Sequence, residues 1–294
     1  MVVKELRSKY GLRIMLKVLD LKKSTYYYTL KTLEFDKNSE LMQLILEIFT
    51  ENKARYGYRR ITLELKNRDK LVNHKKVKRL MKKMGLYGIT PKVKYKSYKG
   101  DMNGTTKNLL LDKVVDETNH TTKFVQNFST TSCNQKWTTD VSEFKISSGK
   151  LYLSPILDMH NDEIVSYDIS ITPDFNQIKR MLAGAFEKYD SLSGLIFHSD
   201  QGWQYQMRDY KIALQGKGVI QSMSRKGNCC DNGIMEQFFG KMKNEMFYGH
   251  EKEFTSLKQL SETMKEYIKY YNEKRITIKL KGLTPCEARA RALL

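Results

Sequence analysis

The run KWTTDVSEFKI at residues 136–146 decides the architecture, because there the apolar spacing changes from helical to period two. Two more strand-like runs follow directly, KLYLSPILD at 150–158 and EIVSYDISI at 163–171. The spacing then predicts an amphipathic helix over about 176–189, a buried strand GLIFHS at 194–199, a helix over about 205–217 and a strand GVIQSM at 218–223. Two long helices, over about 232–248 and 257–273, close the chain, with Ser256 and Gln259 at capping-box spacing before the second. Three strands followed by alternating helix and strand specify an α/β fold with a mixed sheet flanked by helices.

That order matches a ribonuclease-H-like core: a mixed five-stranded sheet with helices on its faces, spanning residues 129–294. Upstream, the reading is all-helical. Residues 1–35 form a short helix-turn-helix-like segment, with the stripe Leu6, Ile14, Met15, Val18 and Leu19 followed by Ser24 as cap of a helix bearing Tyr26, Tyr27 and Tyr28. Residues 36–87 form a helical DNA-binding domain. Its stripe is Leu41, Leu44, Ile45, Ile48 and Phe49, and Gly57 breaks the chain before Tyr58-Arg59-Arg60-Ile61. Asn73 caps its last helix, whose inner face is Val77, Leu80, Met81 and Met84 and which Gly85 ends. Residues 88–128 read as a basic linker with a short helix at 107–117.

The chain has 294 residues and a formal net charge of +19, placed very unevenly. Residues 1–100 hold 26 Lys+Arg against 9 Asp+Glu, whereas the rest hold 26 against 24. Lys75, Lys76, Lys78, Arg79, Lys82 and Lys83 crowd the outer face of one short helix, where they repel one another unless a polyanion screens them. Such a footprint points to DNA. No apolar run approaches the roughly 18 residues of a membrane helix, and the start MVVKELRSKYG lacks the apolar core of a secretory signal. Cys133, Cys229, Cys230 and Cys286 include no C-x-x-C pair. The expectation is a soluble, cytoplasmic protein in a reduced compartment, with no membrane partner and no structural zinc.

Three acids fall where this topology exposes side chains at one sheet edge. Asp140 lies within the first strand, Asp200 directly after GLIFHS, and Glu236 in the first turns of the helix starting near Asn232. Carboxylates from separate elements converging on one point are what two-metal phosphodiester chemistry needs, and their hard oxygens suit Mg²⁺ or Mn²⁺. Singly, each acid also reads as an outward strand residue, a turn former or a helix-start charge. Strand, strand end and helix start in one sheet favour the catalytic reading.

The words WTTDVSEF at 137–144, HSDQGWQY at 198–205, SMSRKGNC at 222–229 and DNGIMEQFFG at 231–240 closely resemble bacterial insertion-sequence transposases. So do YYNEKR at 270–275, YGYRRI at 56–61 and KGLTP at 281–285. The match is to the catalytic second-frame (OrfB-type) protein of elements related to retroviral integrases, and it covers essentially the whole chain. Cys230 and Gly233 depart from the Leu and Ala expected there; neither carries chemistry. The resemblance implies that Asp140, Asp200 and Glu236 are a DDE triad binding two Mg²⁺ (or Mn²⁺). It implies cutting at element ends to free a 3′-OH, then attack by that hydroxyl on another phosphodiester. The implied partners are the terminal inverted repeats and target DNA, further copies of the chain, and an upstream-frame helix-turn-helix protein, made separately or as a frameshift fusion. A ribonuclease-H-like nuclease without strand transfer and a non-catalytic DNA-binding regulator are the alternatives.

Lys243, two helical turns beyond Glu236, is expected to hold a phosphate beside the metals. Arg225 and Lys226 read as DNA contacts or as loop solubility. Arg59, Arg60, Lys75, Lys76, Arg79 and Arg275 complete the expected DNA contacts. His198 reads as a packed strand-end residue, and Trp137, Trp203, Tyr267, Tyr270 and Tyr271 as packing.

Overall fold

The computed structural model describes residues 3, 6, 9–34, 37–89, 106–116, 121–189, 191–225 and 229–292. Its helical part comprises α1 (Leu12–Val18), α2 (Lys23–Glu34), α3 (Ser39–Glu51), α4 (Tyr58–Asn67) and α5 (His74–Lys83). Ile45, Ile48, Ile61, Leu65, Val77, Leu80 and Met81 bury the facing stripes of α3–α5 in one core. The Asn73 side chain accepts the Lys75 N–H at 2.8 Å, capping α5. Gly85 takes φ +69° just past its end, a conformation glycine adopts at no steric cost.

A hairpin follows, β1 (Leu111–Asp116) antiparallel to β2 (Thr121–Gln126). It replaces the helix expected at 107–117. The β-branched pairs Val114-Val115 and Thr121-Thr122 favour the extended chain, and cross-strand pairing supplies the partners that a local pattern cannot reveal. The rest of the expected linker, at 90–105 and 117–120, lies outside the described residues.

The larger sheet is built from β3 (Lys136–Thr139), β4 (Ser142–Ile146), β5 (Gly149–Asp158), β6 (Ile164–Ser170), β7 (Ile196–Ser199) and β8 (Ile220–Met223). β3 and β4 keep a single register against β5, with Thr139 opposite Ile156 and Ser142 opposite Leu153. They are therefore one strand interrupted at Asp140 and Val141. In that register Asp140 faces Pro155. Met159 N–H donates to the Lys136 carbonyl at 2.9 Å, so the odd-numbered residues of β5 turn their backbone groups toward β3. Pro155 has no N–H to give, and the ladder lapses at the position that carries the acid.

Counting the interrupted strand once, the sheet has five strands in the order β6, β5, β3/β4, β7, β8. β5 is antiparallel to its neighbours, while β3, β7 and β8 run parallel. α6 (Phe175–Lys188), the short α7 (Trp203–Gln206) and α8 (Arg208–Gln215) cover one face over Trp137, Ile156, Met181, Phe197 and Leu214. α9 (Gly233–Met242) and α10 (Leu257–Glu273) cover the other, over Phe144, Leu153, Leu157, Phe238 and Tyr271. α9 runs on into a π-helical turn at Lys243–Phe247, closed by Tyr248 N–H to the Lys243 carbonyl at 2.7 Å. α11 (Pro285–Ala292) ends the described chain. No helix among the described residues is long and apolar enough to cross a membrane.

Candidate active site

The parallel pairing of β3 with β7 brings two of the three acids together. Lys136 pairs with Ile196 and Thr138 with His198, and extending that register by two residues sets Asp140 level with Asp200. Both then leave the carboxyl ends of adjacent parallel strands, where the backbone ladder stops and side chains become available to a ligand. The third acid arrives through Asn232, at the start of α9. Its amide donates to the Thr139 carbonyl at 3.1 Å and its oxygen accepts the Thr138 hydroxyl. This buried strut ties the helix start to the strand carrying Asp140, one turn before Glu236.

The Asp140 carboxyl feels the charge of both other acids. Burial, the Asp200 charge and the Glu236 charge together push the Asp140 carboxyl up to about 7, against the pull of the Val141 N–H and the Lys243 ammonium. Val141 N–H donates to Asp140 Oδ1 at 2.7 Å and Gly202 N–H to Asp200 Oδ1 at 2.9 Å. Burial also raises Asp200. Lys243, half-buried with Nζ 4.9 Å from the Phe144 ring centroid, is lowered by desolvation while Glu143 and Asp140 hold its charge. Half-buried carboxylates, of which Asp200 and Glu236 raise the affinity of Asp140 for a proton, need positive charge, and their all-oxygen donor set fits a hard divalent ion. No three His, Cys, Asp or Glu side chains among the described residues stand close enough to form a finished metal cage.

The floor of the site is buried and hydrogen-bonded. His198, fully buried, meets Ser222 Oγ at 2.9 Å through Nδ1 and Ser224 Oγ at 3.0 Å through Nε2. Desolvation lowers it to about 4, so it is a neutral packing residue at pH 7. Tyr205 is buried close enough to Asp140 and Asp200 that their charges add to the desolvation raising its phenol. Trp137 is buried as expected, but Trp203 is 57% exposed, because α7 turns its ring away from the core.

Asn232 and Tyr205 were not singled out by sequence reasoning. Their only local signal was proximity to an acid, and their roles come from contacts across 93 residues in one case and burial in the other.

Several cations expected on DNA are instead consumed within the protein. Arg275 is 5% exposed and grips Glu245 through Nη2 at 2.7 Å and Nε at 3.0 Å. Arg60 lies 3.5 Å from the same carboxylate, stacks over Tyr56 and donates to the Arg55 carbonyl. Arg225 is bidentate on the fully buried Asp231, at 2.9 and 2.8 Å. That carboxylate also accepts Asn108 and Gln126, anchoring the hairpin beside the start of α9. For Arg60 and Arg275 a sequence shows the charge but not the distant acid that takes it up. Lys226 lies outside the described residues. Lys75, Lys76 and Arg79 are exposed on the outer face of α5, opposite Val77, Leu80 and Met81. Exposed Arg59 adjoins them around Tyr58, over whose ring Lys78 also sits at 5.4 Å.

Residues 36–94 match the family described as HTH-like domain, and residues 130–229 and 236–293 each match one described as integrase core domain. The chain is 44% identical over 289 residues to a protein of Escherichia coli K12 named as the transposase InsK of insertion sequence element IS150, covering 98% of this chain and 96% of the relative. It is 46% identical over 222 residues to a transposase-like protein of Haemophilus influenzae, covering 76% of this chain and 95% of the relative. Against the transposase of IS904 from Lactococcus lactis it is 32% identical over 237 residues, with coverages of 80% and 88%. With paired strand-end acids on an integrase-type core behind a helical domain, and identity of this degree across nearly the whole chain, the protein belongs to the family of bacterial insertion-sequence transposases.

Proposed function

We propose that this chain cuts DNA at the ends of an insertion sequence to free a 3′-OH and joins that hydroxyl to a second phosphodiester, with Asp140, Asp200 and Glu236 as the triad that holds two Mg²⁺ or Mn²⁺. The observation that supports this reading is the register of β3 on β7, which sets two half-buried acids level with each other, while the Asn232 strut ties the start of the helix bearing Glu236 to the same strand. When bound, such ions polarise the phosphate and ionise the attacking hydroxyl at neutral pH. The three carboxylates hold them, Lys243 steadies a phosphate oxygen, and the buried floor of His198, Ser222 and Tyr205 keeps the acids from moving. Lys243→Ala should slow joining about hundredfold to thousandfold, the usual effect of losing one donor aimed at developing charge, with little change in melting temperature. Joining rates on pre-nicked end DNA check this.

Duplex DNA lies across the outer face of α5 and Arg59. Replacing Lys75, Lys76 and Arg79 together by Ala should weaken end binding and flatten its salt dependence, each lost phosphate contact removing about 0.9 from the log–log slope. Binding isotherms at several salt concentrations give that slope. An unchanged slope would remove α5 from the interface. The terminal inverted repeats are the substrate, several copies act together, and the upstream-frame product contributes to end recognition.

The deciding experiment is a cleavage and joining assay on labelled element-end DNA with Mg²⁺, comparing the native chain with Asp200→Asn, each with and without the upstream-frame product. Joining by the native protein alone or with its partner, lost in the variant, is the expected result. Nicking without joining in every arm would favour a nuclease, and binding without cutting a regulator.

A further inference from the structure

The joint between the helical domain and the catalytic core converges on one acid. Glu245 is 6% exposed and lies in the π-helical turn, two residues beyond Lys243 and nine beyond Glu236 on the same continuous helix. Its carboxylate receives Arg275 Nη2 at 2.7 Å, the Tyr267 hydroxyl at 3.0 Å and the Arg60 guanidinium at 3.5 Å. Its backbone carbonyl accepts Arg55 Nε at 3.3 Å. Arg55 and Arg60 belong to the helical domain, whereas Tyr267 and Arg275 belong to α10 and its end. Arg55 stacks on Tyr270, and Tyr56 bonds the backbone of Lys274 and Ile276. Ile276 joins the helical-domain core.

The two ends of this turn face opposite ways. Lys243 points toward Asp140 and Phe144, as its electrostatics and its ring contact record. Glu245, two residues on, points into the joint. The π turn adds a residue to the helical repeat, a local feature that recurs at functional sites. The helix is thus a strut with the acids on one side and the helical domain on the other. Glu245 supplies the negative charge between Arg60 and Arg275, which otherwise repel in a buried setting.

We propose that Glu245 is a positioning residue for catalysis: by clamping Arg60 of the helical domain to the helix that carries Glu236 and Lys243, it makes the seating of the DNA-binding domain part of the geometry of the triad. The proposal rests on the transposase reading of Asp140, Asp200 and Glu236. Binding of DNA to the helical domain then bears on the acids through one buried carboxylate, not through a flexible tether.

The test compares Glu245→Gln, Glu245→Asp and Arg60→Gln with the native chain. Arg60→Gln leaves the Arg275–Glu245 pair intact and guards against a Glu245 variant that fails to fold. Asn67→Ala is the control for domain docking alone, since its amide bonds the Gly282 carbonyl at 2.9 Å and makes no bond to Glu245 or its partners. Two quantities are read: the joining rate on pre-nicked end DNA, and Mn²⁺ quenching of tryptophan fluorescence, which reports the acids because Trp137 and Trp203 each lie three residues from one of them. Glu245→Gln and Arg60→Gln should each raise the Mn²⁺ concentration for half-quenching about tenfold and slow joining by a similar factor, the usual consequence of removing an outer support of a metal site. Glu245→Asp should recover part of both, and Asn67→Ala should lower the melting temperature without moving either. Native-like half-quenching and joining in Glu245→Gln and Arg60→Gln would overturn the proposal, as would an equal shift in Asn67→Ala. A native chain that is quenched by Mn²⁺ yet joins no ends, with or without the upstream-frame product, sinks the strand-transfer reading instead, and the quenching series still judges Glu245.

Discussion

Asp140→Asn is expected to abolish cleavage and joining while making the metal-free protein more stable above pH 7. The carboxyl ionises at its ordinary 3.8 in the unfolded chain but is pushed up to about 7 in the fold by burial and by the charges of Asp200 and Glu236. Between those values the unfolded state has lost its proton and the native state has kept it. Stability therefore falls as pH rises from about 4, and stops falling above about 7. At about 1.4 kcal/mol per pH unit, the cost to the native chain at pH 8 is about 2–4 kcal/mol. An amide at 140 carries no such cost and still accepts the Val141 N–H. Urea unfolding with a chelator at pH 5 and pH 8 should show the variant's advantage widening with pH. Mg²⁺ should then raise the melting temperature of the native chain more than that of the variant, because only the ionised acid gains from it. A variant less stable than the native chain at both pH values would mean that Asp140 is held by contacts that need its charge.

The largest loss of stability is expected at Asp158. This fully buried acid, at the end of β5, accepts the Asn134 N–H at 2.8 Å, the His160 N–H at 2.9 Å and Arg289 Nη2 at 2.8 Å. Arg289, on α11, also pairs with Glu163. Asp158→Ala strands two backbone donors and leaves a mostly buried guanidinium with half its countercharge, which should cost about 3–5 kcal/mol. Denaturant midpoints measure this. Limited trypsin digestion should show cleavage near Arg289 well before the core is cut, because the tail latch has opened. Asp158→Asn keeps one of the two acceptor oxygens, turns a donor NH₂ toward the other site and drops the charge, so its loss should fall between those of the native chain and Asp158→Ala. A loss below about 1 kcal/mol would mean that Glu163 alone holds the tail.

The strands and the acids were legible because their signals are local. Period-two runs must become strands when one face is buried. Asp140, Asp200 and Glu236 could be named because strand, strand end and helix start each carry a short-range pattern, and because the surrounding words resemble a known family. The hairpin at 111–126 was read as helix and linker since its stability lies in pairing two short segments, a non-local term that neither segment shows alone. The pairing of Arg60 and Arg275 was hidden for a related reason. Their charges are visible in the chain, but Glu245 stands 185 residues from Arg60 and 30 from Arg275, and only folding brings them into contact.

The order of elements, the acids and the basic face of α5 were thus determined by the sequence, through periodicity, caps and charge placed within a few residues. Tertiary structure alone decided that Asp140 stands level with Asp200, that the strand breaks opposite Pro155, and which arginines are paired within the protein. The physical reason is that register and ion pairing depend on free energies between residues far apart in the chain. Those energies exist only once the intervening loops have closed.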